Sequence, residues 1–201
     1  MLIVCVSTEL EGALLREHVP VLVTGVGAVN AAYALTRFMA QKRVGEVIVC
    51  GIGGAYPGCG LAIGDVACAA RECYGDLGAN SPEGFLDMEA LGFPVVKSEP
   101  PIFNSLPMQI FPTERRVGFV TVNTCTGSDA EAVAITIRTG GAVENMEGAA
   151  IAHVGALSGI AVGEVRGVSN LVGRRNRSGW RVREAAEAAQ LALLEWLRRR
   201  A

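Results

Sequence analysis

The chain has 201 residues, half of them hydrophobic, and a formal net charge of −2. That length and apolar content suit one domain with a sizeable core, and the near-neutral charge excludes a basic nucleic-acid footprint. No run of about 18 apolar residues is present for a membrane helix. Met1–Val6 lacks the basic start of a signal peptide and reads as a buried first strand.

In chain order, short β-branched runs alternate with Ala-rich stretches of helical period. Leu2–Val6, Val21–Thr24, Val47–Cys50, Val66–Ala69, Val117–Val122 and Val162–Val168 read as strands. Val29–Gln41, Asp129–Thr139, Met146–Leu157 and Val182–Arg200 read as helices. This alternation predicts an α/β fold in one domain over residues 1–201. Six of the eight prolines fall between Gly75 and Pro112. That segment is expected to be mostly loop, with one short strand at Val95–Val96.

Two strands run into glycines. The Gly25-Val-Gly27-Ala-Val-Asn30 turn is either a tight strand-to-helix connection or a dinucleotide fingerprint with asparagine in place of the third glycine. Its free N–H groups attract anions or polar ligands. Gly51-Ile-Gly53-Gly54 is expected to be a second turn, letting backbone approach a ligand. Neither contains the G-K-[ST] of a phosphate loop, and no Arg or Lys adjoins them.

Glu144-Asn145-Met146-Glu147 opens an Ala-rich helix. A carboxylate there either complements the helix dipole or faces a ligand, and Gly148 beside Glu147 favours the second reading. Ser169-Asn170 ends a strand, as a turn or as a ligand-facing pair. Glu9 and Glu11 follow the first strand, and each is a solvated acid or a functional one. The six cysteines have no C-x-x-C spacing and only His18 and His153 are present, so no metal site is expected. Cysteines inside apolar runs fit a reducing cytoplasm.

Taken together, Thr24-Gly-Val-Gly-Ala-Val-Asn-Ala-Ala32, Gly51-Ile-Gly-Gly-Ala55, Met146-Glu-Gly-Ala-Ala150 and Arg166-Gly-Val-Ser-Asn170 resemble the nucleoside phosphorylase/hydrolase superfamily over nearly the whole chain. Tyr74-Gly-Asp76, Glu144-Asn-Met-Glu147 and Ser169-Asn170 followed by Trp180 are similar to its futalosine hydrolase branch, which acts in menaquinone biosynthesis. The resemblance implies a three-layer α/β/α domain around a central mixed sheet. It implies cleavage of an N-glycosidic bond in a small-molecule nucleoside, without cofactor or metal. No nucleic acid or membrane is expected as a partner, and a homo-oligomer, dimer or tetramer, is.

By the same resemblance Glu11 activates the attacking water, with Glu9 as the alternative, and Glu147 binds ribose hydroxyls. Met146 packs beneath the sugar. Asn145, Ser169, Thr124, Cys125, Gly53 and Gly54 line the nucleoside site. The related methylthioadenosine nucleosidases carry Ser-Asp where this chain has Ser169-Asn170. An asparagine amide donates and accepts at once, which matches O6 and N7–H of a leaving 6-oxopurine and mismatches adenine. Hypoxanthine is therefore the expected product base. The competing readings are a methylthioadenosine/adenosylhomocysteine-type nucleosidase, a purine nucleoside phosphorylase, a non-catalytic nucleoside binder and a Rossmann-type oxidoreductase.

Overall fold

The computed structural model describes residues 1–200. Ten strands and five α-helices form one α/β domain. The strands are β1 (Leu2–Val6), β2 (Val21–Val23), β3 (Glu46–Ala55), β4 (Val66–Tyr74), β5 (Gly78–Ser81), β6 (Gly84–Asp87), β7 (Ser105–Pro107), β8 (Arg116–Thr121), β9 (Val143–Asn145) and β10 (Ala161–Leu171). The helices are α1 (Glu9–Gly12), α2 (Ala28–Met39), α3 (Asp129–Thr139), α4 (Gly148–Ser158) and α5 (Val182–Arg200).

The main sheet is mixed, in the order β10-β4-β8-β9-β3-β1-β2, and β10 also pairs with β3, so five strands close on themselves. Strand β3 is the hinge of this arrangement. One side pairs in parallel with β10 along its length; the other meets β1 over Glu46–Val49 and antiparallel β9 at Gly54–Ala55. Helices α2 and α4 cover one face through Ala31, Leu35, Ala149 and Ile151. Helix α5 covers the other, burying Ala189 and Leu193 against Val4, Ile48 and Val165. The result is the expected three-layer arrangement.

Two local readings change. Gly51, Gly53 and Gly54 are not a turn: β3 continues straight through them to Ala55. Glycine is required there by crowding from protein side chains. A Cβ on Gly53 would lie 2.5 Å from Val143 Cγ1 and 2.9 Å from the Glu144 carbonyl. The proline-rich segment is also more ordered than expected, because β5 and β6 form a hairpin and β7 pairs with β4. Val96 makes only an isolated bridge to Ile102, so the short strand expected at Val95–Val96 is not formed.

Candidate active site

A cavity of about 470 Å³ opens at the carboxyl ends of β1, β3 and β10, where open α/β sheets place ligands. Its lining includes Glu11, Gly53, Gly54, Cys125, Asn145, Met146, Glu147, Ser169 and Asn170. Nine of the ten residues expected to form a site thus meet at one cavity. Thr124 does not: it is exposed and its neighbours Cys125 and Thr126 face the cavity instead.

Helix geometry places Glu9 and Glu11 on different sides of α1. Helix α1 is one turn, so residues two apart point to different sides. Glu9 lies outside, paired with Arg16, its side chain 76% exposed. Glu11 points inward and is buried. Its Oε2 accepts from the Thr8 amide at 2.9 Å and the Thr8 hydroxyl at 2.8 Å; its Oε1 accepts from the Ile52 amide at 3.0 Å. This capping box fixes the carboxylate above β3. Gly51 is glycine because a Cβ there would lie 2.6 Å from Glu11 Oε1.

Glu147 is the N-cap of α4, which starts at Gly148, two residues after the expected Met146, because Glu144 and Asn145 belong to β9. Its Oε1 accepts from the Gly27 amide at 2.9 Å and its Oε2 lies 3.3 Å from Arg166 Nη2. The first glycine turn is genuine: Gly25 and Gly27 have φ of 86° and 97°. The anion at its free N–H is a carboxylate of the protein itself, which removes the dinucleotide reading at that position.

Asn145 faces the cavity, yet its amide is committed within the protein. Oδ1 accepts from the amides of Glu147 and Gly148 at 2.9 and 2.8 Å, from Thr121 at 3.0 Å and from Arg166 at 3.3 Å. Nδ2 donates to Glu72. Asn145 therefore caps α4 and orients Glu147. Glu144 is likewise structural, accepting from Tyr56 at 2.7 Å and from both the amide and hydroxyl of Thr126. Burial and the Glu144 charge push the Tyr56 phenol pKa upward, so it remains a donor.

Asn170 sits at an irregularity of β10. The pairing with β3 shifts between Val168 and Asn170, which sets Asn170 opposite Gly54. A Cβ on Gly54 would lie 3.0 Å from Asn170 Nδ2. Asn170 donates to the Leu171 carbonyl at 3.1 Å and accepts from Ser169 at 2.8 Å. One N–H and one lone pair of the amide remain for a ligand.

Sequence reasoning missed Arg166, which is buried in the floor of the cavity. It donates to Glu164 at 2.5 Å, to the Ile52 carbonyl at 2.7 Å, and to Asn145 and Glu147. Burial opposes its charge, but Glu164, Glu147 and Glu11 outweigh that and raise its pKa. The available clue was a charge inside an apolar strand, Val-Gly-Glu-Val-Arg-Gly at 162–167. The other walls are apolar, with Leu10, Val26, Leu171 and Trp180, and Arg175 lies 5.3 Å above the Trp180 ring. No group of His, Cys, Asp or Glu suited to a metal is present among the described residues, and no helix there is long and apolar enough to cross a membrane.

Comparison with known proteins gives the family and the fold. Residues 8–198 match the model of the phosphorylase superfamily. The futalosine hydrolase of Acidothermus cellulolyticus is 40% identical over 167 residues, covering 80% of this chain and 67% of the relative. That of Thermus thermophilus is 35% identical, covering 86% and 78%. Among solved structures, a 5′-methylthioadenosine/S-adenosylhomocysteine nucleosidase from Neisseria meningitidis superposes with a TM-score of 0.82 at 18% identity, over 100% of this chain and 99% of that one. An S-adenosylhomocysteine nucleosidase from Streptococcus pyogenes gives 0.81 at 20% identity, over 98% and 96%. At those identities the likeness establishes the fold.

Proposed function

Because the chain belongs to the phosphorylase superfamily, we propose that it hydrolyses the N-glycosidic bond of futalosine, releasing hypoxanthine, in menaquinone biosynthesis. The observation that carries this reading is the convergence of Glu11 and Glu147 on one cavity whose only buried cation, among the described residues, is already neutralised. The names of the curated relatives support the substrate.

In this reading Glu147 accepts from ribose hydroxyls, and Met146 packs beneath the sugar. The bond from C1′ to the base breaks with its electron pair going to the purine. The ribosyl cation that develops is stabilised by the two carboxylates. Water attacks C1′ and gives a proton to Glu11. The base takes a proton from solvent at N7 and leaves as neutral hypoxanthine. Asn170 donates to O6 and accepts from N7–H with the two valences it has free. Cys125, Ser169, Gly53 and Gly54 contour the cavity around base and sugar. The apolar wall with Arg175 over Trp180 suits a 5′ substituent that is aromatic and carries a carboxylate.

Water is favoured over phosphate on electrostatic grounds. A phosphate needs an unopposed cation. Arg166 is bound to Glu164 and Glu147, and a phosphate beside Glu11 and Glu147 would meet two like charges. The assay is incubation with futalosine, inosine and methylthioadenosine, with and without phosphate, followed by chromatography of the free base. Hypoxanthine release from futalosine independent of phosphate is expected. Release only with phosphate would overturn the hydrolase reading. The variant Asn170→Asp is expected to gain adenine release; an unchanged base preference would remove the role given to Asn170.

The working unit is a homo-oligomer in the cytoplasm. Val26, Val29 and Tyr33 form an exposed apolar stripe at the start of α2, and Val26 is also part of the cavity mouth. Val29 and Tyr33, four apart, lie on one face of α2, and Val26 lies just before that helix. A second copy covering this stripe would close the cavity. Val29→Glu should give monomers by light scattering and raise KM; a wild-type protein that is itself monomeric would end this reading.

A further inference from the structure

Behind the cavity floor lie two carboxylates that the reaction does not use. Glu72 on β4 and Glu164 on β10 are both fully buried. Gly148, the first residue of α4, packs onto the pair so closely that a Cβ would overlap both carboxylates. The donors to Glu72 are the Cys73 amide at 3.0 Å and Asn145 Nδ2, and the Thr121 hydroxyl, whose single proton is shared with Asn145 Oδ1, lies 3.2 Å away. Those of Glu164 are unequal. Oε1 receives Arg166 Nε at 2.5 Å, while Oε2 is buried with no donor at all, alone among the described buried side-chain atoms.

Two adjacent ionised carboxylates, one with an oxygen lacking any donor, would be costly in a dry interior. A proton on Glu72 removes both costs, because its O–H donates to the empty oxygen of Glu164. We infer that Glu72 and Glu164 hold one proton between them, and that this proton-sharing pair is the positioning element for Glu147, acting through Asn145 on one side and Arg166 on the other. Glu164 supplies the negative charge that holds Arg166. Glu72 supplies the acceptor that turns Asn145 so that its Oδ1 meets the amides of Glu147 and Gly148. Neither touches substrate.

The charged and titratable groups around Glu72 are Glu164 and Arg166 from β10, Glu147 at the start of α4, and Cys73 and Tyr74 on its own strand. Burial, then the charge of Glu164, pushes Glu72 well above the ordinary 4.5 of a glutamic acid. Burial raises Glu164 as well, but Arg166 pulls it back. The folded state therefore holds a proton that the unfolded chain has released. Stability from this proton is complete below about pH 4.5 and falls as pH rises through the folded value.

Only the role assigned to Glu147 rests on the nucleosidase reading; the proton itself can be seen without substrate. In the infrared spectrum of the intact protein at neutral pH, the C=O stretch of a protonated, buried carboxylic acid should be present and should disappear in Glu72→Gln. The variant keeps a donor toward Glu164 but gives up acceptance from Asn145, so kcat/KM should drop about tenfold. The decline of Tm as pH rises above the ordinary glutamic acid value of 4.5 should flatten in the variant. Substitution in a purely structural residue would lower Tm evenly and leave the slope alone. An absent band in the wild type, or a variant with the wild-type slope, would overturn the shared proton. An unaltered kcat/KM in folded Glu72→Gln would overturn its link to Glu147. Failure of futalosine to react would touch neither infrared nor Tm result.

Discussion

Glu11→Gln is expected to lower kcat by about a hundredfold to ten-thousandfold, the usual range for losing a general base, while the protein remains folded. The amide cannot take a proton from water at neutral pH, yet it occupies the same volume. Of its anchors, the two Thr8 donors or the Ile52 donor can still reach its carbonyl oxygen. KM should change much less than kcat, since in the proposed reaction the acid acts on the water and the ribose is held by Glu147. The contrasting variant is Glu9→Gln. Its carboxylate is at the surface with Arg16, so steady-state rates should stay within about twofold of wild type, as for an exposed ion pair. Equal losses in the two variants would show that the water is activated elsewhere.

Arg166→Met should produce the largest loss of stability. The arginine is 2% exposed and joins four groups, in β10, β3 and β9 and at the N-cap of α4. Methionine fills much of the volume but leaves Glu164 and Glu147 buried without a counter-charge. Removing one partner of a buried pair costs about 3–5 kcal/mol, which corresponds to a fall in Tm of about 10 °C for a domain of this size. Activity should vanish with it, because Glu147 loses the guanidinium that aims its Oε2. Arg166→Lys should not rescue either property: one ammonium cannot serve Glu164, Ile52 and Glu147 from the positions of a planar fork. Thermal denaturation followed by circular dichroism is the measurement. A shift below about 2 °C would mean that the acids re-protonate without strain, a cheaper response than a bare buried charge.

The parts of this molecule readable from sequence are those governed by local periodicity. Strands such as Leu2–Val6 and helices such as Asp129–Thr139 have lengths and patterns that few other structures accommodate, and both ends of these two elements fall where the pattern places them. Strand β9 is three residues long and owes its existence to pairing with β3 and β8, so nothing local marks it, and Glu144 to Met146 read as the start of α4. Gly51 to Gly54 read as a turn because glycine is poor in strands; the reason for glycine lies in Val143 and Glu11, far away in sequence. Within the site, the residues found were those carried by motifs. Glu72, Glu164 and Arg166 are in strands that are mostly apolar, and a buried charge in such a run was the one local sign that something needed it.

The shift of register in β10 has a further consequence, for how this protein can diversify. Because the shift sets Asn170 against Gly54, the amide proposed to face the base is housed in space left by an absent side chain on the neighbouring strand. A lineage that altered residue 54 first would displace the amide before any new base could be selected. Among descendants of this sequence, positions 54 and 170 are therefore inherited as one character, and a change of nucleobase is open only to those that keep the glycine.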